Sequence, residues 1–121
     1  MIVKTKIDDT HWNYNVDQRD ILYIEQDADY AKVVMLNGSI RIHGTMERIA
    51  KLFPMLSRAH RSWLINPYQM QAYVANTDPV SVSILFKNGK EITIGKGRSY
   101  YDDFVASFQK ASEEQGNSIL W

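Results

Sequence analysis

Apolar and polar residues alternate with a period of two along several short stretches of the chain. The alternation covers residues 2–7, 80–86 and 91–94, and each stretch predicts a β-strand with one buried face. Two further runs, 21–25 and 30–36, are apolar at nearly every position. Because such strands must meet other layers on both sides, these two runs predict the central strands of a sheet.

Two Asn-Gly pairs lie where neighbouring strands should reverse direction. Asn37-Gly38 follows the second central run, and Asn88-Gly89 follows the alternating stretch at 80–86. Asn and Gly tolerate the positive φ angles that a two-residue type I′ turn requires at both central positions. Each pair therefore predicts a hairpin closed by a type I′ turn.

A short internal helix is predicted where the apolar spacing changes from two to three or four residues. Apolar residues at 46, 49, 50 and 53 share one helical face. Thr45 can cap the start of this helix, and Pro54 ends it.

A second helix is predicted near the C-terminus, where Tyr100, Phe104 and Phe108 recur every four residues. Ser99 can cap its first turn, and Gly116 marks its end. Residues 1–112 are therefore expected to form one mostly-β domain with a small internal helix and a C-terminal helix. Residues 113–121 are expected to form a flexible tail.

The amino-acid composition excludes several kinds of site. The 121 residues are 45% hydrophobic and include no cysteine, which excludes disulfides, iron–sulfur clusters and a thiol nucleophile. No run of residues approaches the length of a membrane span, and no secretory signal precedes the first strand, so a cytoplasmic location is expected. The spacing of His11, His43 and His60 does not suggest a metal site. No phosphate-binding glycine loop or nucleophile elbow occurs, and the sequence predicts neither an enzyme nor a cofactor.

The formal net charge of zero conceals a strongly uneven distribution. Residues 1–30 sum to −4, residues 31–98 to +7 and residues 99–121 to −3. A basic middle segment of this kind can form a surface that faces phosphates. A solvated basic face without a ligand is the alternative interpretation.

Three polar or basic segments, 26–30, 57–62 and 93–99, lie at the ends of predicted strands. Arginine can present a bidentate fork to guanine, and lysine can reach a phosphate. Glycines beside Lys96 would let the main chain approach a sugar-phosphate backbone, and Ser99 at a helix start would offer N–H groups to an anion. Taken singly, Arg61 could instead pair with a surface acid, and Gly95-Lys96-Gly97 could be a plain turn.

The order of several short motifs resembles the LytTR family, the DNA-binding domain at the C-terminus of LytR/AgrA-type response regulators. The resemblance extends over about residues 2–110 and rests on these stretches: Asp20-Ile21-Leu22-Tyr23-Ile24-Glu25, Asp29-Tyr30, Asn37-Gly38, Gly44-Thr45-Met46, His60-Arg61-Ser62-Trp63-Leu64-Ile65-Asn66 and Phe86-Lys87-Asn88-Gly89-Lys90-Glu91-Ile92-Thr93-Ile94. It implies a stack of short antiparallel β-sheets. It also implies a transcription regulator that binds promoter DNA through three loops inserted into successive major grooves.

The resemblance also assigns residues to these loops. The first contains Asp29, Tyr30 and Lys32, with Tyr30 standing where some relatives carry a base-reading histidine. The second contacts DNA through Arg61, with Ser62 beside it, Arg58 in the same segment and His60 as a support. In the third, Lys96 stands nearest the base-reading position and Arg98 nearest a phosphate contact. Lysine lacks the arginine fork, which shifts the expected affinity toward the DNA backbone.

The resemblance implies double-stranded DNA as partner, with two copies on tandem promoter half-sites. A monomer is expected in solution, because the sequence suggests no long edge strand and no heptad seam. Relatives usually carry a receiver domain ahead of this one. Since the first predicted strand begins at Ile2, we expect either a trimmed effector domain or a stand-alone protein controlled by a partner such as a membrane-bound inhibitor.

The competing hypothesis is a β-rich module that binds another protein and not DNA. Trp12, Trp63 and Trp121 could anchor such an interface. Trp63 lies in an alternating run, which favours the core for that residue.

Overall fold

The computed structural model describes residues 1–7 and 9–116, which form three antiparallel sheets and two α-helices. This confirms the mostly-β fold class with one internal and one C-terminal helix. The strands are β1 (Ile2–Ile7), β2 (Thr10–Asn15), β3 (Ile21–Asp27), β4 (Tyr30–Met35), β5 (Gly38–His43), β6 (Ser57–His60), β7 (Trp63–Ile65), β8 (Met70–Thr77), β9 (Val80–Phe86) and β10 (Glu91–Gly95). The helices are α1 (Met46–Leu52) and α2 (Tyr101–Glu114).

A five-stranded sheet in the order β5-β4-β3-β7-β6 occupies the middle of the fold. The two runs predicted as central strands are β3 and β4. In β3, the four side chains of residues 21–24 are all buried. A register shift between Ile21 and Tyr23 turns Leu22 and Tyr23 toward the same side, while Ile21 and Ile24 face the other. The bulge therefore lets one strand supply two hydrophobic cores.

Each face of the central sheet is covered by a different layer. On one face, the β1–β2 hairpin and α1 enclose a core that includes Val16, Val33 and Phe53. On the other face, a three-stranded sheet in the order β10-β9-β8 packs with α2 around Phe86 and Phe104. Both faces of the sheet are thus sealed, so its strands present their ends and connecting loops to the outside.

Both predicted hairpins are present, but the predicted turn type is wrong. In the β4–β5 hairpin, Met35 pairs with Gly38, so the turn residues are Leu36 and Asn37. Neither of these has a positive φ, whereas Gly38 has a φ of 150°. In the β9–β10 hairpin only Gly89 has a positive φ, of 92°. Each glycine therefore supplies one unusual backbone angle, and neither asparagine takes the left-handed conformation of a type I′ turn.

The internal helix begins as predicted, because the Thr45 side chain accepts a hydrogen bond from the Arg48 N–H. The predicted cap of the second helix is wrong. The N-cap of α2 is Tyr100, with no side-chain hydrogen bond, since the Tyr100 and Tyr101 N–H groups both bond to the Gly97 carbonyl oxygen. Ser99 therefore does not present the start of this helix to an anion.

The end of α2 lies close to the predicted Gly116. The helix continues to Glu114, two residues into the segment predicted as tail, and Gly116 follows with a φ of 83°. The remainder of the predicted tail, 117–121, lies outside the described residues. No helix in the described part of the chain is long and apolar enough to cross a membrane.

Three strands, β2, β6 and β8, carried no recognised pattern in the sequence, and β6 occupies residues 57–60 of a segment predicted to lie at a strand end. Most side chains of β2 are exposed, so the strand shows little one-sided hydrophobicity. β8 has eight residues and forms one edge of the three-stranded sheet. The expectation that the chain contains no long edge strand is therefore wrong, and the reason given for a monomer in solution no longer holds.

Candidate nucleic-acid interface

Three connections meet at one edge of the central sheet, which we call the loop edge: the β3–β4 turn, the β6–β7 turn and the β10–α2 connection. β7 runs antiparallel to β3, so the turn that precedes β7 lies beside the end of β3. The Gln26 N–H donates to the Ser62 carbonyl oxygen at 2.9 Å and ties these two turns together. The three segments predicted from charge and strand ends are therefore neighbours in the fold.

The first turn is held by a side chain behind it. Gln26 Nε2 donates to the carbonyl oxygens of Ala28 at 2.7 Å and Tyr30 at 3.1 Å, and lies 3.3 Å from the carbonyl oxygen of Gly44. Ala28 has a φ of 53°, a left-handed angle that is strained for any residue with a Cβ atom. Asp29 is exposed at the tip. The turn is thus fixed from within, and its outward side chains take no part in holding it.

The Tyr30 side chain is positioned by the neighbouring strand. Its ring meets the His43 ring edge to face, with centroids 5.3 Å apart, and the Arg41 guanidinium lies 5.1 Å from the ring centre. Arg41 also forms a salt bridge of 2.9 Å with Asp27. Lys32 stands opposite Arg41 in the register and is exposed.

Sequence reasoning missed Arg41 and His43 as members of this surface. The Asn37-Gly38 pair indicated the hairpin but not its register, because a two-residue turn at 37–38 would set Lys32 opposite His43. The observed turn, one residue earlier, sets Tyr30 opposite His43 and Lys32 opposite Arg41. Both missed residues are exposed, and Arg41 adds a guanidinium two residues back from the end of β5.

Arg58 braces the second turn. Its Nη2 atom donates to the Arg61 carbonyl oxygen at 2.7 Å and lies 3.4 Å from Glu47 of α1. Its guanidinium also lies 5.0 Å from the centre of the Tyr100 ring in the β10–α2 connection. The side chain is only 21% exposed. Arg58 therefore joins α1 and two connections of the loop edge, and has little surface left for a ligand.

His60 supports the same turn as a neutral ring. Its Nδ1 atom accepts the Ser62 N–H at 3.2 Å. Burial lowers the pKa of His60 below its ordinary value, and the positive charges of Arg61 and Arg58 lower the pKa further. Arg61 itself is exposed, and within the described ranges it has no salt-bridge partner.

The third connection is pressed against β6. A Cβ atom at Gly97 would lie 2.8 Å from the Ala59 carbonyl oxygen and 2.9 Å from the His60 Cα, both main-chain atoms. Gly97 is thus required by packing inside the protein, which differs from the predicted role of letting DNA approach. Lys96 and Arg98 on either side of it are exposed, and Lys96 Nζ lies 4.4 Å from the centre of the Tyr101 ring.

Five basic side chains are consequently exposed at the loop edge or within two residues of it: Lys32, Arg41, Arg61, Lys96 and Arg98. This surface suits a polyanion, because exposed cations on a rigid edge attract phosphates without a folding cost. Among the described residues, no group of three or more His, Asp or Glu side chains could hold a metal ion.

Comparison with known proteins gives this arrangement a family. The LytTr DNA-binding domain family matches the sequence over residues 12–109. The chain belongs to the LytTr family. The match includes all three connections of the loop edge and begins within β2, so it covers less of the N-terminus than the motifs suggested.

The LytTr fold is also found by structural comparison. The chain is similar to a Bacillus cereus structure described as the LytTr DNA-binding domain of a methyl-accepting/DNA response regulator, with a TM-score of 0.64 and 19% sequence identity. The similarity covers 91% of this chain and 94% of the other. No curated protein matches the sequence.

Proposed function

We propose that this LytTr domain is a sequence-specific transcription regulator that inserts the three connections of its loop edge into successive major grooves of promoter DNA. The observation that carries the proposal is the convergence of these connections at one edge, with exposed basic side chains on or next to each. Two copies are proposed to occupy tandem half-sites. A receiver domain or an inhibitory partner, such as a membrane-bound inhibitor, is proposed to control them.

Arg61 is the residue proposed to read bases. Its guanidinium is exposed at the tip of the second turn, while Arg58 holds the main chain of that turn from behind. A guanidinium without an ionic partner in the described part of the chain keeps its bidentate fork available for guanine O6 and N7. Ser62 beside it offers a hydroxyl to a phosphate or a base edge.

The flanking connections are proposed to supply register and affinity. Lys96 and Arg98 lie on either side of the packed Gly97, so their positions are set by β6. Asp29, Tyr30 and Lys32 form the other flank, where Tyr30 is held by His43 and Arg41. Phosphate contacts of this kind position a protein on DNA, while a few base contacts give sequence choice. Arg58 and His60 act through the loop that they hold.

The first experiment selects bound sequences from a randomised duplex pool and measures fluorescence anisotropy of the selected duplex across a salt series. We expect one enriched motif and a log–log salt slope of about 0.9 per phosphate neutralised. Absence of binding at low salt would contradict the proposal and favour the protein-interaction module.

Substitution Arg61→Ala tests the base-reading role on the selected duplex. We expect a loss of about 1–3 kcal/mol of discrimination between the matched and a scrambled duplex. Arg19→Ala is the matched control, because Arg19 is an exposed arginine before β3, at the opposite end of that strand from the loop edge. An equal loss on both duplexes would show that Arg61 contacts only phosphate.

A further inference from the structure

The edge strand β8 has an open side. It pairs with β9 from Met70 to Thr77, and within the described residues no strand pairs with its other side. Its eight residues include no Asp, Glu, Lys, Arg or Pro. Val74 in the middle is 55% exposed. An exposed strand edge presents unpaired N–H and C=O groups that can pair with another strand.

The edges of the central sheet are covered, and the far edge of the three-stranded sheet is flanked by charges. In the central sheet, α2 packs along β6 and β1 packs along β5. β10, at the far side of the three-stranded sheet, is flanked by Lys90 and Lys96 and begins at Glu91. Cover and charge are the usual protections against unwanted strand pairing. β8 has neither, which distinguishes it from these edges.

The outer face beside the Thr77 end of this edge carries neutral polar side chains. The Asn76 side chain donates to the hydroxyls of Ser81 and Ser83 at 3.0 Å each, and Ser83 bonds to Thr93 at 3.0 Å. These polar groups are therefore satisfied within the sheet. A strand that pairs with β8 would bury no charge and would leave this network intact.

We propose that β8 pairs antiparallel with β8 of a second copy of this chain, about a two-fold axis, to form a continuous six-stranded sheet from the two three-stranded ones. A two-fold pairing sets each strand against itself, so any charge near its centre would face its own copy. The uncharged sequence of β8 meets this condition. A single strand pair is a small interface, and such interfaces form weak complexes.

The pairing differs from the tandem arrangement proposed on DNA. Asn76 pairs with Ser81, which pairs with Gly95 beside His60, so the Thr77 end of β8 points toward the loop edge. A two-fold axis reverses the second strand and places the two loop edges at opposite ends of the joined sheet. One dimer would therefore present two separate DNA-facing edges. The pairing itself does not depend on DNA binding.

Sedimentation velocity of the full chain without DNA, from micromolar to millimolar concentration, tests the proposal. We expect a monomer that becomes a dimer as concentration rises. Val74→Lys should raise the dimer Kd by about tenfold or more, since it would place a positive charge in the middle of the paired edge of both copies. Val80→Lys is the matched control, because Val80 is 64% exposed but lies on β9, one strand from the edge, and it should leave the Kd unchanged.

Single cysteines give a second measurement in a chain that has none of its own. Under oxidation, a cysteine at one position from 72 to 76 should form a disulfide-linked dimer, because one residue of a two-fold strand pair faces its own copy. Val80→Cys should stay monomeric. A monomer at every concentration would overturn the proposal. The proposal would also be overturned if Val74→Lys left the dimer Kd unchanged, or if Val80→Cys cross-linked as well as a cysteine in β8. Either result would place the dimer contacts on another surface.

Discussion

In β3, four consecutive side chains are buried between two layers, whereas the turn that follows the same strand is exposed and held by the amide of Gln26. The sheet interior is stabilised by apolar area shared among many neighbours. The loop edge is held largely by hydrogen bonds to main-chain carbonyl oxygens, from Gln26 in one turn and Arg58 in the next. The difference teaches that stability and the proposed DNA recognition depend on separate side chains, and substitutions can test this separation.

The largest effect is expected in the interior. Phe104 of α2 is 1% exposed in the core between the two larger sheets. Phe104→Ala should lower the free energy of unfolding by about 3–5 kcal/mol, because it removes buried apolar area and leaves a cavity. Urea unfolding measures this, with the partly buried Phe108→Ala as a comparison expected to lose less. A loss no greater than that of Phe108→Ala would show that α2 is not anchored there.

Gly97→Ala tests the point where interior and loop edge meet. Its Cβ would collide with main-chain atoms of β6, so the β10–α2 connection must move. We expect weaker binding of the selected duplex and a loss of about 1–3 kcal/mol in unfolding free energy. In Gly95→Ala the nearest atom to the new Cβ is at 3.6 Å, on the His60 ring, so that control should behave like the wild type. Equal effects of the two substitutions would contradict the packing argument.

Ala28→Gly should stabilise the protein through the loop edge alone. Glycine adopts the left-handed φ at this position without strain, although it also has greater conformational freedom in the unfolded chain. We expect the free energy of unfolding to rise by about 1 kcal/mol or less. The same substitution at Ala106, an exposed position within α2, should instead cost about 1 kcal/mol. Thermal unfolding of the two variants checks the opposite signs. A loss in both would show that the turn carries no strain.

The smallest effect is expected from pH. Because the folded-state pKa of His60 is lowered from its ordinary 6.5, the folded protein binds this proton less readily than the unfolded chain. The stability from neutral His60 is therefore complete above pH 6.5 and is lost as pH falls through the lowered pKa. Unfolding of the wild type and His60→Gln, at neutral pH and at about pH 5, should show a greater acid loss for the wild type. If the wild type and His60→Gln lost the same stability between neutral pH and pH 5, His60 would not be the source of the acid sensitivity.

The interior was largely predictable from sequence, and the exposed elements were less so. The runs that became β3 and β4 are apolar on both faces because two layers cover them, and this burial is visible as hydrophobicity. β2 and β8 are exposed on much of their surface, so their strand conformation comes from pairing with β1 and β9. Hydrophobic periodicity does not reveal such pairing when neither face of the strand is consistently apolar.

The candidate site shows the same limit. Charge and strand ends identified the three connections, because polar or basic residues follow the apolar strands there. Arg41 and His43 join the surface only through the hairpin register that sets them beside Tyr30 and Lys32. The predicted cap at Ser99 failed because the Gly97 carbonyl oxygen takes the first N–H groups of the helix. That contact depends on the packing of Gly97 against β6, and rules based on neighbouring residues in the sequence do not predict such a tertiary contact.

The carbonyl-directed bonds of Gln26 and Arg58 have a practical consequence. They fix the main chain of two turns without involving the exposed side chains at 29 and 61, and the packing of Gly97 against β6 does the same for the connection that carries Lys96. A combinatorial library randomised at these three positions should therefore remain folded while its members differ in the operators they prefer. The two bracing residues would stay constant, and the domain would serve as a scaffold from which new promoter specificities are selected.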